Sequence, residues 1–289
     1  MTAVAAGSVR VSPGWLALRE PADAVARAGD LVDLLLGDLP AGDRAVIHDL
    51  GCGTGSMGRW LAPRLPGRQH WVLYDRDGDL LSLAVAGTPT TTAGGARVTV
   101  EGRRRDITRL APNELAGASL ITASALLDML TADELGRFVA SCAGPGCPVL
   151  VTLSVIGRVE LHPAHPLDEP IGRAFNAHQR RPVDGRRLLG PDAVALAADA
   201  FRGHGCRVEL RPSTWRLGVD HAALTGQWLA GWLQAALEQE PGLVAATTGY
   251  RRQRAAQAAA GGLRVTVAHQ DLLARPRSER ESRSEREPR

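Results

Sequence analysis

The stretch Ala45-Val46-Ile47-His48-Asp49-Leu50-Gly51-Cys52-Gly53-Thr54-Gly55 decides how this chain is read. Its front is apolar and strand-like, and the amphipathic segment Met57 to Leu65 follows the last glycine. Strand, glycine turn and helix in that order build a site for an extended, nucleotide-like ligand. Glycines adopt backbone angles closed to other residues and let a ligand approach the main chain. Asp49, two positions before the first glycine, is the discriminating residue. A carboxylate there repels a phosphate and holds a cationic amino group.

The pattern Asp49-x-Gly51-x-Gly53-x-Gly55 resembles motif I of the class I S-adenosylmethionine (SAM) methyltransferases, D/E-x-G-x-G-x-G. Two later acids extend the resemblance. Asp75 closes the strand-like Trp71-Val72-Leu73-Tyr74-Asp75, about 20 residues on, where ribose hydroxyls are bound. Asp106 follows Val98-Thr99-Val100, where this family commonly sets an acid against the adenine amino group. The resemblance covers residues 45–155 by motif and extends to 270 by pattern. It implies SAM as cofactor, with Asp49, Gly51, Gly53 and Gly55 at the methionine moiety, Asp75 at the ribose, and Asp106 with Ile107 at the adenine. Cys52, Arg76, Ser124 and Arg27 complete the expected cofactor set.

Two other readings stay open. Gly53-x-Gly55-x-x-Gly58 also satisfies G-x-G-x-x-G, the fingerprint of NAD(P)-dependent oxidoreductases. In a dinucleotide site the pyrophosphate lies over this turn, where Asp49 would oppose it. The other alternative is a SAM-binding protein without catalysis.

Composition narrows the field. The chain has 289 residues, enough for a sizeable core. All 34 basic residues are arginine, so Schiff-base lysine chemistry and a P-loop lysine are impossible. The net charge is +3, and the tail after Ala274 holds six arginines and four glutamates, leaving the rest close to neutral. No basic nucleic-acid face is implied. Four cysteines (Cys52, Cys142, Cys147, Cys206) lack metal-ligand pairing and a radical-SAM triad, which suits free thiols in a cytoplasm. No leader-like segment and no membrane-length apolar run occur, so no membrane partner is expected.

The pattern along the chain predicts an α/β fold, a doubly wound, mostly parallel seven-stranded sheet of the Rossmann-like methyltransferase kind. Strands are expected at 45–50, 70–75, 97–102, 118–124, 148–155, 206–212 and 263–269. Helices are expected at 57–65, 77–86, 131–142 and 191–203. Residues 1–44 form an N-terminal helical cap, 45–273 the SAM-binding domain, and 274–289 a disordered tail. Within the domain, 219–261 is a helical insertion before the last strand. Residues 157–190, with four prolines and three histidines, are expected to be an irregular lid or substrate loop. In the cap, Arg19, Asp23, Arg27 and Asp30 suit solvated i,i+4 pairing; the functional account sends an arginine to the ligand carboxylate.

Methyl transfer from SAM is a displacement that needs alignment above all, and a base only when the acceptor carries a proton. The catalytic candidates are His178 in the lid, and Asp128 just beyond the fourth strand, each with a plainer role as a loop histidine or a turn residue. His162 and His165, with Asp168 nearby, have metal-ligand spacing only on a helix; Pro163 and Pro166 argue for extended chain, so no metal is expected. No N-P-P-Y-like sequence follows the fourth strand, which favours a small-molecule acceptor over DNA. A homodimer is left open.

Overall fold

The computed structural model describes residues 11–39 and 44–277. Residues 1–10 and 40–43, and the tail from 278 onward, lie outside the described residues. Two helices, α1 (Pro13–Ala26) and α2 (Gly29–Leu36), precede β1 (Ala45–Leu50). The chain then runs α3 (Ser56–Leu61), β2 (Gln69–Asp75), α4 (Gly78–Gly87), β3 (Val98–Arg104), β4 (Leu120–Ser124), α5 (Ala132–Ala143) and β5 (Val149–His162). After β5 come α6 (Asp168–Gln179), a short hairpin of β6 (Pro182–Val183) and β7 (Arg186–Arg187), and α7 (Ala193–Gly203). β8 (Cys206–Pro212), β9 (Trp215–Leu217), α8 (Ala222–Gln239), α9 (Val244–Ala259) and β10 (Arg264–Pro276) complete it.

The main sheet has the order β3-β2-β1-β4-β5-β10-β8, with β9 pairing to β10. β1 to β5 are parallel, and β10 runs antiparallel to β5, β8 and β9. It is an α/β doubly wound fold. Strand order reverses between β1 and β4, which opens a crevice at their carboxyl ends, the place where such sheets bind ligands. The strands read as continuous apolar runs because both faces are covered. Along β2, Trp71 and Leu73 pack with Leu31, Leu35 and Trp60 on one face. Val72 and Tyr74 pack with Phe138, Val194 and Phe201 on the other.

Two expectations need correction. The segment 157–190 is not irregular: β5 continues to His162 and α6 occupies Asp168–Gln179. Pro163 and Pro166 fall in the link between them, and Pro170 sits in the first turn of α6, where a missing N–H costs little. Ile171, Ala174 and His178 form the buried side of α6, which packs on α8. The last strand is also longer than expected and runs to Pro276, pairing there with Cys206. The tail therefore cannot start at 274.

The helical cap is tied to the sheet by polar groups. Asp271 on β10 is fully buried. Its Oδ1 accepts from the Leu153 N–H at 2.7 Å and its Oδ2 from the Ala28 N–H at 2.8 Å. Leu153 has φ +58°, a left-handed value a leucine rarely adopts. It lies where the β5–β10 register shifts, and Asp271 receives the N–H displaced there. Further along, Trp60 Nε1 donates to the Ala24 carbonyl at 3.1 Å, and Trp215 Nε1 donates to Asp23 Oδ1 at 2.9 Å.

Asp271→Ala leaves two buried N–H groups without acceptors, at about 1–3 kcal/mol each. Urea unfolding should show a loss of at least about 2 kcal/mol, with Asp271→Asn losing less because one acceptor oxygen survives. An Ala variant as stable as the wild type would mean that α1 and β5 are held by other contacts.

Candidate functional site

The site starts at the turn after β1. Gly51, Gly53 and Gly55 have φ of +68°, +55° and +85°. Side chains rarely tolerate such values. At Gly55 a Cβ would also lie 3.0 Å from the Ala84 Cα, so this glycine lets the turn pack directly on α4. The Cys52 N–H donates to the Tyr74 carbonyl at 2.9 Å, which docks the turn against the end of β2. The Gly53 N–H donates to Asp75 Oδ2 at 2.9 Å, and the Asp77 N–H donates to Asp75 Oδ1 at 2.9 Å. Burial raises the Asp75 pKa, while these two donors favour the charged form.

Beneath the turn, Asp49 is 1% exposed. Thr122, its cross-strand partner on β4, donates to Asp49 Oδ1 at 2.7 Å. Asp49 Oδ2 is buried with no hydrogen-bond partner among the described residues. Burial pushes this carboxyl up to about 6, against the opposing pull of Thr122 and Arg27. Arg27, at the end of α1, is buried nearby. Its Nη2 donates to Ser56 Oγ at 3.0 Å and Ser124 Oγ at 3.2 Å, and its Nη1 has no partner. Burial lowers its pKa; the guanidinium lies over the Trp60 ring at 5.4 Å.

A cavity of about 720 Å³ opens over this floor. Its lining includes the glycine turn, Asp49, Asp75, Arg76, Asp106 and Ile107. Asp106 also caps the following turn, accepting from the Thr108 N–H at 3.0 Å and Thr108 Oγ1 at 2.8 Å. The lining also includes Trp15, Leu16, Arg19, Asp128, Met129 and Arg186, with Leu16 against the glycine turn. Asp128, half-buried in the wall, is pushed up to about 6 by burial. Arg19 donates through Nε to Asp23 Oδ2 at 2.8 Å and stacks on Trp215, its guanidinium 4.9 Å from the ring centroid.

The structure gathers Asp49, Gly51, Cys52, Gly53, Asp75, Arg76, Asp106, Ile107, Ser124 and Asp128 around this one space. Gly55 and Arg27 stand just behind the lining, the first packed on α4 and the second holding Ser56 and Ser124. The Cys52 thiol is buried, and burial raises its pKa.

His178 requires correction. It lies on α6 and does not line the cavity. Its Nε2 is 3.0 Å from Glu238 Oε2 on α8, and Arg181 Nη1 donates to its Nδ1 at 2.7 Å. Nε2 joins α6 to α8 through Glu238, Nδ1 is taken by Arg181 just beyond α6, and burial lowers the pKa of the imidazole. The imidazole has no nitrogen free for an acceptor. Asp168, near His162 and His165, instead pairs with the fully buried Arg254 and accepts from Tyr250 at 2.7 Å. Among the described residues no three metal-ligating side chains converge.

Sequence reasoning missed Trp15, Thr122 and Arg186 as cavity or floor residues, and weighed Arg19 only as one of the cap arginines. Arg19 and Asp23 carried a signal in their i,i+4 spacing, but that spacing does not distinguish a solvated pair from one roofing a cavity. Thr122 had a register signal, opposite Asp49, that only the strand pairing reveals.

No family model and no curated protein matches the chain. Among solved structures it is similar to a cyclopropane synthase from Mycobacterium tuberculosis, with 15% identity over 85% of this chain and 83% of that one, TM-score 0.45. It is similar to an O-methyltransferase family protein from Burkholderia thailandensis, with 18% identity over 67% and 52% of the two chains, TM-score 0.44. A magnesium protoporphyrin IX methyltransferase from Synechocystis PCC 6803, with bound SAH, shares 17% identity over 72% and 83%, TM-score 0.42. Similarity of this degree says nothing of what this chain binds. Among the described residues no helix is long and apolar enough to cross a membrane.

His178→Ala removes a bridge between α6 and α8 and touches nothing in the cavity. The variant should lose roughly 1 kcal/mol of stability, the usual scale of one hydrogen bond. Its affinity for cavity ligands, measured by calorimetry, should be unchanged; a tenfold loss would return the histidine to the site.

Proposed function

We propose that this chain is a SAM-dependent methyltransferase acting on a small-molecule acceptor. The observation that carries the reading is the buried Asp49 carboxylate, one of whose oxygens lacks a partner, beneath a left-handed glycine turn. A buried half-satisfied carboxylate demands a donor, and a cationic amino group satisfies it. The same carboxylate opposes a pyrophosphate, which argues against the dinucleotide reading. A cavity that continues past the cofactor residues to Asp128 and Trp15 leaves room for an acceptor, which argues against a purely regulatory SAM binder.

The residues present fit the group. Asp49 would hold the amino end, with Arg27 and the hydroxyls of Ser56 and Ser124 supplying the positive side that a carboxylate needs. Asp75, preorganised by two backbone N–H groups, would accept from ribose hydroxyls. Asp106 and Ile107 would flank the adenine. When bound, the cofactor supplies a methyl group on a sulfonium sulfur, open to direct displacement. What the chain contributes is alignment, worth roughly 7–11 kcal/mol in well-oriented reactions. Trp15 and Leu16 on α1 narrow the cavity and exclude water. Asp128 faces the same space and, with a pKa near 6, is mostly ionised at neutral pH and able to take a proton from an acceptor.

Calorimetry should show binding of SAM and S-adenosylhomocysteine and no binding of NAD⁺. Asp75→Ala should weaken SAM at least about tenfold, since two charge-assisted hydrogen bonds are lost. Because Asp49 titrates near 6 before binding, affinity should fall as pH drops through 6, where the carboxylate becomes neutral. Asp49→Asn keeps the Thr122 hydrogen bond but should weaken SAM about tenfold and remove that pH dependence. NAD⁺ binding more tightly than SAM, or an unaffected Asp49→Asn variant, would defeat the proposal.

A further inference from the structure

We infer that the acceptor end of the cavity selects a cationic amine carried on an apolar body. The inference rests on the methyltransferase reading and names the acceptor class of that same site.

The charges at that end are unequal in their commitments. Arg19 is held by Asp23 through Nε at 2.8 Å and Nη2 at 3.2 Å. Asp23 also accepts from Trp215 Nε1 at 2.9 Å, so its oxygens and the Arg19 guanidinium are locked together. Arg186 is held by Glu134 in a two-pronged pair, at 3.0 and 2.6 Å, and its Nη2 also donates to the Met129 carbonyl at 3.2 Å. Both arginines face the cavity with their charge already balanced. Asp128 has no such partner: no ion pair engages it among the described residues, and the Arg19 cation nearest in its electrostatic surroundings belongs to Asp23. The acceptor end therefore carries one uncompensated carboxylate.

The same lining contributes the apolar side chains of Trp15, Met129 and Leu130. A carboxylate set in apolar walls is costly unless a cation or a hydrogen-bond donor meets it. An anionic acceptor would meet Asp128 with both arginines spent, and like charges repel strongly in such surroundings. A neutral alcohol would satisfy a hydrogen bond but leave the charge uncompensated. An ammonium satisfies both, and the Trp15 indole offers a π-face wall to the same cation. Passage of one ammonium proton to Asp128 breaks an N–H bond, forms an O–H bond and leaves the electron pair on nitrogen. The amine is then neutral, with its lone pair free for the methyl carbon.

Three probes of matched skeleton separate the possibilities: 2-phenylethylamine, 2-phenylethanol and 3-phenylpropionate. Their binding is measured by saturation-transfer NMR and calorimetry on the full chain, alone and with S-adenosylhomocysteine. The amine should bind at least about tenfold tighter than the alcohol, and the carboxylate should not bind measurably. Asp128→Asn should abolish the preference for amine over alcohol, and Asp128→Ser provides a second variant should the first not fold. Tighter binding of phenylpropionate, no binding of the amine, or an undiminished amine preference in a folded Asp128 variant would overturn the inference. Failure to bind S-adenosylhomocysteine would overturn the methyltransferase reading separately, because the amine preference is also read on the protein alone.

Discussion

Three left-handed residues within five positions, at the carboxyl end of β1, set the geometry on which the cavity depends. Only glycine accepts that succession of angles without strain. The turn they make closes down onto β2 through the Cys52 N–H and onto α4 through the bare Cα of Gly55. It aims the Gly53 N–H at Asp75, which fixes the acid of the second strand relative to the turn after the first. It also leaves Asp49 underneath, one residue before the end of β1. The reversal of strand order between β1 and β4 does the rest, because it opens a crevice at their carboxyl ends.

A crevice open on its roof would let water in, and α1 provides the roof. Helix α1 packs Trp15, Leu18, Ala22 and Ala26 against an apolar cluster that includes Trp215 and Val265, and directional polar bonds fix its position. Asp271 binds the Ala28 N–H, Asp23 accepts from Trp215, and Trp60 reaches the Ala24 carbonyl. A bidentate pair between Arg59 on α3 and Glu20 closes the other side. Hydrogen bonds of this kind specify one position where apolar packing alone would tolerate sliding. Arg27 is consequently carried to a fixed place behind Ser56 and Ser124, close to Asp49. Arg27 from the cap and Asp49 from β1, opposite in sign, are thus brought close together beside the glycine turn.

Electrostatic commitment distinguishes the charged groups around the cavity. Beside the glycine turn, one oxygen of Asp49 and one nitrogen of Arg27, opposite in sign, have no hydrogen-bond partner among the described residues. Arg19 and Arg186 are neutralised by acids of their own, while no ion pair among the described residues engages Asp128. The insertion helices α8 and α9 contribute no residue to the cavity lining. They brace α6, through Glu238 on His178 and through the buried Arg254 on Asp168.

The sequence alone determined the strand–turn–helix element, the doubly wound order and most of the residues that line the cavity beside the glycine turn. Each of those depends on neighbours in the chain: glycines at alternate positions, an acid two residues earlier, an acid at the end of the next apolar run. The long β5 and helix α6 were hidden because the register shift at Leu153, the prolines and the arginines obscure local periodicity, while long-range pairing with β10 and α8 stabilises them. The choice between His178 and Asp128 was hidden too. Both are titratable residues near the carboxyl side of the sheet, and nothing local to either shows that Glu238 and Arg181 occupy one while Arg19 is kept from the other by Asp23. Arg19 with Asp23 and Arg181 with His178 are near neighbours in sequence, but Glu238 with His178 and Glu134 with Arg186 are not, and only the packed structure brings those pairs together.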